Sequence, residues 1–174
     1  NNATFNTALN FNGPATVAIT VNDQGNTGSG GAKSDTKTLS ITVTAINDAP
    51  VNTVPTTTQT VIELATLTFT PPISTSDVES LTENKPVQLT LGVNNGKLNL
   101  SSQTGLTNVT GLGTGAVSFR GTVANVNAAL ATLTYQANAF PQNDTLTVTT
   151  SDLGTSPLPV MTDTDQVPIA VQPS

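Results

Sequence analysis

The residues that could do chemistry in this chain are oxygen-bearing side chains, because the sequence contains neither histidine nor cysteine. Without histidine the chain lacks the usual general base and the commonest transition-metal ligand. Without cysteine it has no thiolate nucleophile, no disulfide and no zinc–sulfur site. Carboxylates, amides and backbone carbonyls remain, and these are the oxygen ligands that calcium prefers.

Two short runs place such oxygens close together in the sequence. Asn47 and Asp48 are adjacent, just before Pro50, and Asp77 and Glu79 form a carboxylate pair two residues apart. Clustered carboxylates repel one another unless a cation lies among them. If the loops of a β-sandwich bring these runs to one end, we expect a Ca²⁺ site there. The alternative is turn chemistry, because Asn and Asp cap turns in many proteins.

Catalysis has little support in the sequence. A carboxylate pair could in principle serve a glycosidase, but a metal explains Asp77 and Glu79 better. No Gly-x-Ser-x-Gly nucleophile motif occurs. Asp23 and Asp152 each stand two residues before a glycine, a common turn pattern that explains them better than a metal does. We therefore expect no catalytic residues, no organic cofactor and no enzyme activity.

The composition excludes several classes of partner. Charged residues make up 9% of the 174 residues, against roughly 25% in ordinary globular domains, and the net charge is −6. The five basic residues are scattered, so we expect neither nucleic acid nor an anionic membrane as a partner. No stretch approaches the roughly 20 apolar residues of a membrane helix. The chain opens without a signal-peptide pattern, so we expect a mature or excised piece.

Apolar residues alternate with polar ones along most of the chain, which predicts strands with one buried face. The clearest cases are Thr16–Val21, Leu39–Val43 and Val87–Leu91. Asn94-Asn95-Gly96 predicts a hairpin turn followed by a return strand. Thr122–Leu130 is the one predicted helix, because Thr122 can cap it and apolar residues recur at helical spacing. The pattern predicts an all-β Greek-key sandwich with one short helix.

An internal repeat decides the predicted domain organisation. Asp23 and Asp35 recur as Asp152 and Asp163, 129 and 128 residues later, with matching strands on both sides. A repeat of this length suits tandem sandwiches rather than a solenoid. We therefore predict that residues 1–46 are the C-terminal half of one repeat, 47–50 a linker and 51–174 a complete repeat. Strands without their sheet partners are rarely stable, so we expect something to hold the first half.

The order of these motifs resembles the cadherin-like repeats (bacterial Ig-like or VCBS-type) of large bacterial surface adhesins. The resemblance lies in the order strand, Asp-x-Gly, Gly/Ser loop, Asp-Thr, strand, and then Ala45–Pro50 as Ala-Ile-Asn-Asp-Ala-Pro. The segment Val126–Tyr135 is also similar to such repeats. The resemblance implies β-sandwiches joined head to tail, with calcium stiffening the joins.

The resemblance also implies ligands. Asn47 and Asp48 match the Asn-Asp of the cadherin linker. Asp77 and Glu79 match the Asp-x-Asp pair of the domain that follows, with Glu in place of the second Asp.

Two further residues follow from the same resemblance. Asp152 resembles the later single Asp of that domain, and Glu63 matches the Glu that faces the next linker. The sequence departs from the family because its linker lacks the fuller Asp-x-Asn-Asp-Asn pattern. The C-terminal residues 170–174 contain no Asn-Asp, so we expect no second linker site.

Three functions remain from the sequence. The first is a structural spacer or adhesion module of a calcium-stiffened extracellular repeat protein at a bacterial cell surface. The second is a self-assembling filament or surface-layer subunit, in which a neighbouring chain completes the N-terminal half-repeat. The third is a glycan-binding module, against which the 3% aromatic content argues. Expected partners are neighbouring repeats or copies of the same chain, together with cell-surface or matrix ligands.

Overall fold

Strands dominate the chain, as the alternation of its apolar residues predicts. The computed structural model describes residues 2–25, 28–154 and 158–174. The chain divides into unit 1, Asn1–Ile46, and unit 2, Asn47–Ser174, so the residues predicted as a linker, 47–50, fall within unit 2. The strands are β1 (Gly13–Asn22), β2 (Ser34–Val43), β3 (Val51–Thr53), β4 (Gln59–Ile62), β5 (Thr66–Thr68), β6 (Ser74–Ser76), β7 (Pro86–Gly92), β8 (Lys97–Leu100), β9 (Thr107–Thr110), β10 (Ala116–Thr122), β11 (Leu133–Gln136), β12 (Asp144–Ser151) and β13 (Thr162–Gln172). The helices are α1 (Val78–Glu83) and α2 (Val123–Leu130).

The described residues of unit 1 contain one β-hairpin. β1 and β2 pair antiparallel along their whole length, with Val17 opposite Leu39 near the middle. Their apolar side chains alternate as predicted, but Ile19, Val21 and Leu39 are 54%, 66% and 56% exposed. A two-stranded hairpin whose apolar face is exposed is only marginally stable by itself, because nothing packs against that face.

Unit 2 is a β-sandwich. Its larger sheet has the strand order β4-β13-β12-β7-β10-β9, its smaller sheet has the order β5-β11-β8, and β3 pairs with β6. β13 and β4 run parallel, whereas the other pairs in these sheets are antiparallel. Both sheets contribute to one hydrophobic core, which contains Val61, Phe69, Ile73, Val87, Leu89, Leu91, Leu98, Leu100, Val117, Phe119, Val123, Val126, Ala129, Leu130, Leu133, Tyr135, Ala137, Leu146, Val148, Val167, Ile169 and Val171.

The predicted helix is present as α2. The Thr122 hydroxyl accepts a hydrogen bond from the Asn125 N–H at 3.4 Å, which is the geometry of an N-cap. The buried residues of α2 are Val123, Val126, Ala129 and Leu130, the apolar stripe on which the prediction depended.

A second helix, α1, was not predicted. Asp77 is its N-cap, and Asn84 ends it in the left-handed conformation with φ of 52°. Six residues are too few for a helical apolar stripe to appear in the sequence.

The predicted hairpin at Asn94-Asn95-Gly96 is wrong. β7 lies in the larger sheet between β12 and β10, whereas β8 pairs with β11 in the smaller sheet. The turn therefore crosses from one sheet to the other. The Asn94 and Asn95 N–H groups donate to the Asp144 carboxylate at 2.9 and 2.8 Å, so a side chain in β12 holds this turn.

Candidate metal centre at the start of unit 2

The N-terminus of α1 carries a buried carboxylate with one free oxygen. Asp77 is 3% exposed, and its Oδ1 accepts a hydrogen bond from the Ser80 N–H at 2.6 Å. Its Oδ2 is buried and has no hydrogen-bond partner. An unsatisfied buried acceptor costs about 1–3 kcal/mol, and more when it is charged.

Glu79, in the first turn of α1, likewise has one hydrogen-bonded and one unpartnered carboxylate oxygen. Its Oε1 accepts a hydrogen bond from the Asp48 N–H at 3.4 Å, while its Oε2 is buried without a partner. In the part of the chain that the structure describes, Asp77 Oδ2 and Glu79 Oε2 are the two buried side-chain polar atoms with no hydrogen bond. Two orphan carboxylate oxygens two residues apart are an arrangement that a cation would stabilise.

Asn47 fixes the start of unit 2 against the loop that follows β12. Its Nδ2 donates to the carbonyl oxygen of Pro159 at 2.9 Å and to Asp152 Oδ2. Pro50, three residues later, is buried. The segment between them contains Asp48, whose N–H reaches Glu79. The fold thus brings Asn47 and Asp48 to the same end of unit 2 as Asp152 and α1.

Asp152 is an acceptor within its own loop. Its Oδ1 accepts from the N–H groups of Gly154 and Met161, each at 2.9 Å, and its Oδ2 accepts from Asn47. These bonds explain its position before a glycine as a turn and leave both of its oxygens already hydrogen-bonded.

Asp23 closes the loop of the unit 1 hairpin in the same way. Its Oδ1 accepts from the N–H groups of Gly25 at 3.0 Å and Lys33 at 2.8 Å. The backbone hydrogen bond from Lys33, followed by that from Gly25, lowers the pKa of Asp23 from its ordinary value of 3.8. The loop around Asp23 therefore favours the ionised carboxylate.

Glu63 lies apart from the other predicted ligands. Its Oε1 accepts from the N–H and hydroxyl of Ser174 at 3.2 and 2.7 Å, and its own N–H donates to the Gln172 carbonyl at 2.8 Å. Gln172 ends β13, whereas Thr162, beside the Asp152 loop, begins it. Glu63 is therefore at the far end of β13 from Asn47, Asp77 and Glu79.

Asn127, which the sequence did not single out, holds the strand that leads to Asp77. Its Nδ2 donates to the Thr75 carbonyl at 2.9 Å, and its Oδ1 accepts from the Thr75 N–H at 2.8 Å. This two-point contact joins α2 to β6. The contact spans 52 residues, and an Asn on the polar face of a helix carries no sequence signal for such a partner.

The side chains that could bind a cation here carry little total negative charge. No group of three or more acidic side chains placed to hold a metal occurs among residues 2–25, 28–154 and 158–174. Two carboxylates with neutral oxygens still fit calcium, because it accepts amide, backbone carbonyl and water oxygens among its six to eight ligands. The two orphan oxygens are the observation that favours a cation.

Two further features of the chain concern sugar stacking and membrane-spanning helices. Tyr135 and Phe119 are fully buried, so neither presents a ring on which a sugar could stack. Neither α1 nor α2, the helices of the described residues, has the length or apolar character needed to span a membrane.

No family model matches the chain, and no curated protein matches it. Among solved structures it is similar to the S-layer protein SbsC domains 4 and 5, at 19% identity and a TM-score of 0.35, covering 91% of this chain and 58% of that one. It is also similar to surface layer protein SbsC domains 1–6, at 19% identity and a TM-score of 0.37, covering 92% of this chain and 17% of that one. The chain thus spans less than two thirds of either structure, and TM-scores this low carry no functional information.

Proposed function

We propose that this chain is a non-catalytic structural module of an extracellular repeat protein on a bacterial surface, and that calcium stiffens its join at Asn47-Asp48. The observation that carries the proposal is the pair of buried, unpartnered oxygens, Asp77 Oδ2 and Glu79 Oε2, beside that join. The order of motifs that resembles cadherin-like repeats supports the same function.

The residues that would hold the cation are Asp77 and Glu79, with neutral oxygens from the Asn47-Asp48 segment. Calcium would supply positive charge to two carboxylates that each have one buried oxygen without a donor. It would also restrain the residues that follow Ile46, because Asp48 already contacts Glu79 through its backbone. Glu63, at the far end of β13, would take no part in this centre.

The use of the other buried acids supports a structural function. Asp144 and Asp152 are 6% and 8% exposed, and both accept backbone hydrogen bonds that close turns. Carboxylates held in this way are fixed acceptors rather than free nucleophiles or bases.

The test is thermal unfolding of the full chain with excess EGTA and with added calcium. Binding only to the folded state at one hundred times the dissociation constant adds about 2.7 kcal/mol, which raises the Tm by several degrees in a domain of this size. In the double variant Asp77→Asn/Glu79→Gln the shift should disappear, since Asn keeps the N-cap while both charges are lost.

Glu83→Gln is the matched control, because Glu83 lies in the same helix but is exposed and pairs with Lys85. It should keep the full calcium shift. An equal shift in the double variant, or no shift in the native chain, would contradict the proposal.

A second candidate is a subunit of a filament or surface layer in which the unit 1 hairpin is completed by another polypeptide. The observation in its favour is the exposure of the apolar face of that hairpin, given above for Ile19, Val21 and Leu39. Size-exclusion chromatography with light scattering tests it: a concentration-dependent rise in mass would favour this candidate over a spacer.

A further inference from the structure

The hairpin of unit 1 and the β12–β13 hairpin of unit 2 each contain a cross-strand hydrogen bond at equivalent positions. Thr20 and Thr36 bond through their hydroxyls at 2.9 Å, and Thr149 and Thr164 do the same at 2.9 Å. The matching positions are 129 residues apart on the first strand and 128 on the second. In the Asp-x-Gly loop at each tip, the Asp carboxylate accepts hydrogen bonds from backbone N–H groups at equivalent positions.

The two hairpins differ in what covers their apolar faces. In unit 2 these side chains are at most 1% exposed, whereas their unit 1 counterparts are half-buried or exposed. The counterparts, given as unit 1 and unit 2 residues, are Val17 and Leu146, Ile19 and Val148, Leu39 and Val167, and Ile41 and Ile169.

The edges of the two hairpins differ as well. β12 pairs with β7 on its outer edge, and β13 pairs in parallel with β4 on its outer edge. β1 and β2 form a sheet of two strands among the described residues. Their outer N–H and C=O groups are therefore open to pair with another strand.

We propose that the apolar face and both edges of the β1–β2 hairpin bind the N-terminal half of another repeat, a polypeptide patterned like residues 47–130 that is not part of residues 1–174. A β7-like strand would pair with β1, placing its counterpart of Leu91 opposite Ile19. A β4-like strand would pair with β2, placing its counterpart of Val61 opposite Val43. This partner rests on the repeat architecture of the proposed function, but not on the calcium.

A second copy of this chain is a poorer occupant. Its β7 already pairs with β12 and β10, and its β4 with β13. It could offer these strands only by losing its own β12–β13 hairpin from the core. The free energy needed to expose Leu146 and Val167, both 0% exposed, opposes that exchange.

A pair of coordinated differences fits the same partner. In unit 2, the Tyr135 hydroxyl donates to the buried Asp144 carboxylate at 3.1 Å. Ala15 stands where Asp144 stands, 129 residues earlier, and Phe5 stands where Tyr135 stands when one extra residue is allowed between Phe5 and Phe11, which gives an offset of 130. For this one hydrogen bond, donor and acceptor are lost together, which is nearly neutral inside a core. In the partner, the N–H groups at the counterparts of Asn94 and Asn95 would then lack the acceptor that Asp144 provides in unit 2. Phe5 thus has the character of a core residue, although it is 45% exposed here.

The test extends the full chain at its N-terminus with a second copy of residues 47–130 and compares hydrogen exchange by mass spectrometry with that of the native chain. Both samples contain EGTA, so the result is independent of the calcium centre. We expect amides of β1 and β2 to exchange at least about a hundredfold more slowly in the extended chain, because they become part of a cooperative core. Exchange of β12 and β13 is the internal reference and should not change.

The matched control carries Leu89→Asn and Leu91→Asn in the added copy only. These substitutions place polar groups at the face that would cover the hairpin, and β1 and β2 should then exchange as fast as in the native chain. Equal exchange in the native and extended chains, with β12 and β13 still protected, would overturn the proposal. Protection of β1 and β2 in the native chain that rises with concentration would also overturn it, in favour of a second copy.

A second variant of the extended chain tests the register directly. Phe5→Tyr with Ala15→Asp restores the hydroxyl–carboxylate pair and gives the added copies of Asn94 and Asn95 an acceptor. If the hairpin seats as proposed, the double variant should slow exchange of those two copied amides by at least about tenfold relative to the extended chain. No slowing of exchange at those two amides would contradict the register. An equal slowing at the native chain's own Asn94 and Asn95, when Ala15→Asp is made in the native chain, would contradict it too.

Discussion

Asp144 joins three parts of unit 2 through one carboxylate. It accepts hydrogen bonds from the N–H groups of Asn94, Asn95 and Thr145 at 2.8–2.9 Å and from the Tyr135 hydroxyl at 3.1 Å. It is 6% exposed, so these bonds replace its hydration. The contact holds the turn that crosses between the two sheets.

We expect Asp144→Ala to destabilise unit 2 more than Tyr135→Phe does. The first change leaves the Asn94 and Asn95 N–H groups without an acceptor, at a cost of about 2–4 kcal/mol, whereas the second removes one hydrogen bond worth about 1 kcal/mol. Urea unfolding followed by far-UV circular dichroism measures both free energies of unfolding. Equal losses in the two variants would show that the carboxylate does not hold the turn.

Tyr135 gives a pH-dependent signal of its own, because it is the only tyrosine and the chain has no tryptophan. Burial, then the Asp144 charge and their hydrogen bond, raise the pKa of Tyr135 above its ordinary value of 10.0. A raised folded-state pKa stabilises the fold fully below pH 10.0 and loses that contribution as the pH rises towards the folded value.

We therefore expect tyrosinate absorbance to appear only as unit 2 unfolds at alkaline pH. Asp144→Asn should lower the pH at which the tyrosinate appears, since it removes the neighbouring negative charge. A spectrophotometric titration run beside circular dichroism measures both transitions. Ionisation near pH 10.0 in a fully folded chain would contradict the burial of this hydroxyl.

Each Asp-x-Gly loop closes a hairpin by the same means. Asp23 and Asp152 accept from a glycine two residues on and from the N–H that begins the return of the chain, at Lys33 and Met161. The carboxylate thus supplies the acceptors that a longer ladder would otherwise provide.

At low pH, protonation of Asp23 should open the unit 1 loop. Its pKa is lowered by the Lys33 and Gly25 N–H groups, so its contribution is complete above 3.8 and is lost as the pH falls through the folded value. The Lys33 amide resonance in an NMR titration should follow that pKa. Asp23→Asn should abolish the titration at Lys33, and an unchanged titration in that variant would assign it to another group.

Unit 2 contains its own hydrophobic core. Every member of the buried cluster lies between Val61 and Val171. Both sheets of the sandwich are drawn from the same range of the chain, except for the first two residues of β4 and the last residue of β13. Unit 2 thus has the apolar burial that an independently folding domain needs.

We expect a chain of residues 47–174 to unfold within about 2 °C of the main transition of the full chain, since no buried cluster member is removed. Differential scanning calorimetry of the two chains in the same buffer is the measurement. A Tm lowered by more than about 5 °C would show that unit 1 contributes to the stability of unit 2.

The local pattern of the sequence predicts the class of fold well. Alternation at Val17–Val21 or Val87–Leu91 depends on which face of a strand is apolar, and that face repeats every two residues. The α2 helix is equally local, because Thr122 and the apolar residues after it lie within three turns. The carboxylate pair of Asp77 and Glu79 is also visible in the sequence, because the two residues are two positions apart. The short helix that carries the pair has no such local pattern.

Pairing between distant segments is what only the folded chain decides. The crossing turn at Asn94-Asn95, the approach of Asp48 to Glu79 and the contact of Asn127 with Thr75 join residues 31 to 52 positions apart. Such contacts depend on how two apolar faces pack and which buried donors then lack acceptors, and neither quantity is a property of a short window of sequence. For the same reason, a strand pattern that is alike in β1 and β12 is buried in one hairpin and exposed in the other.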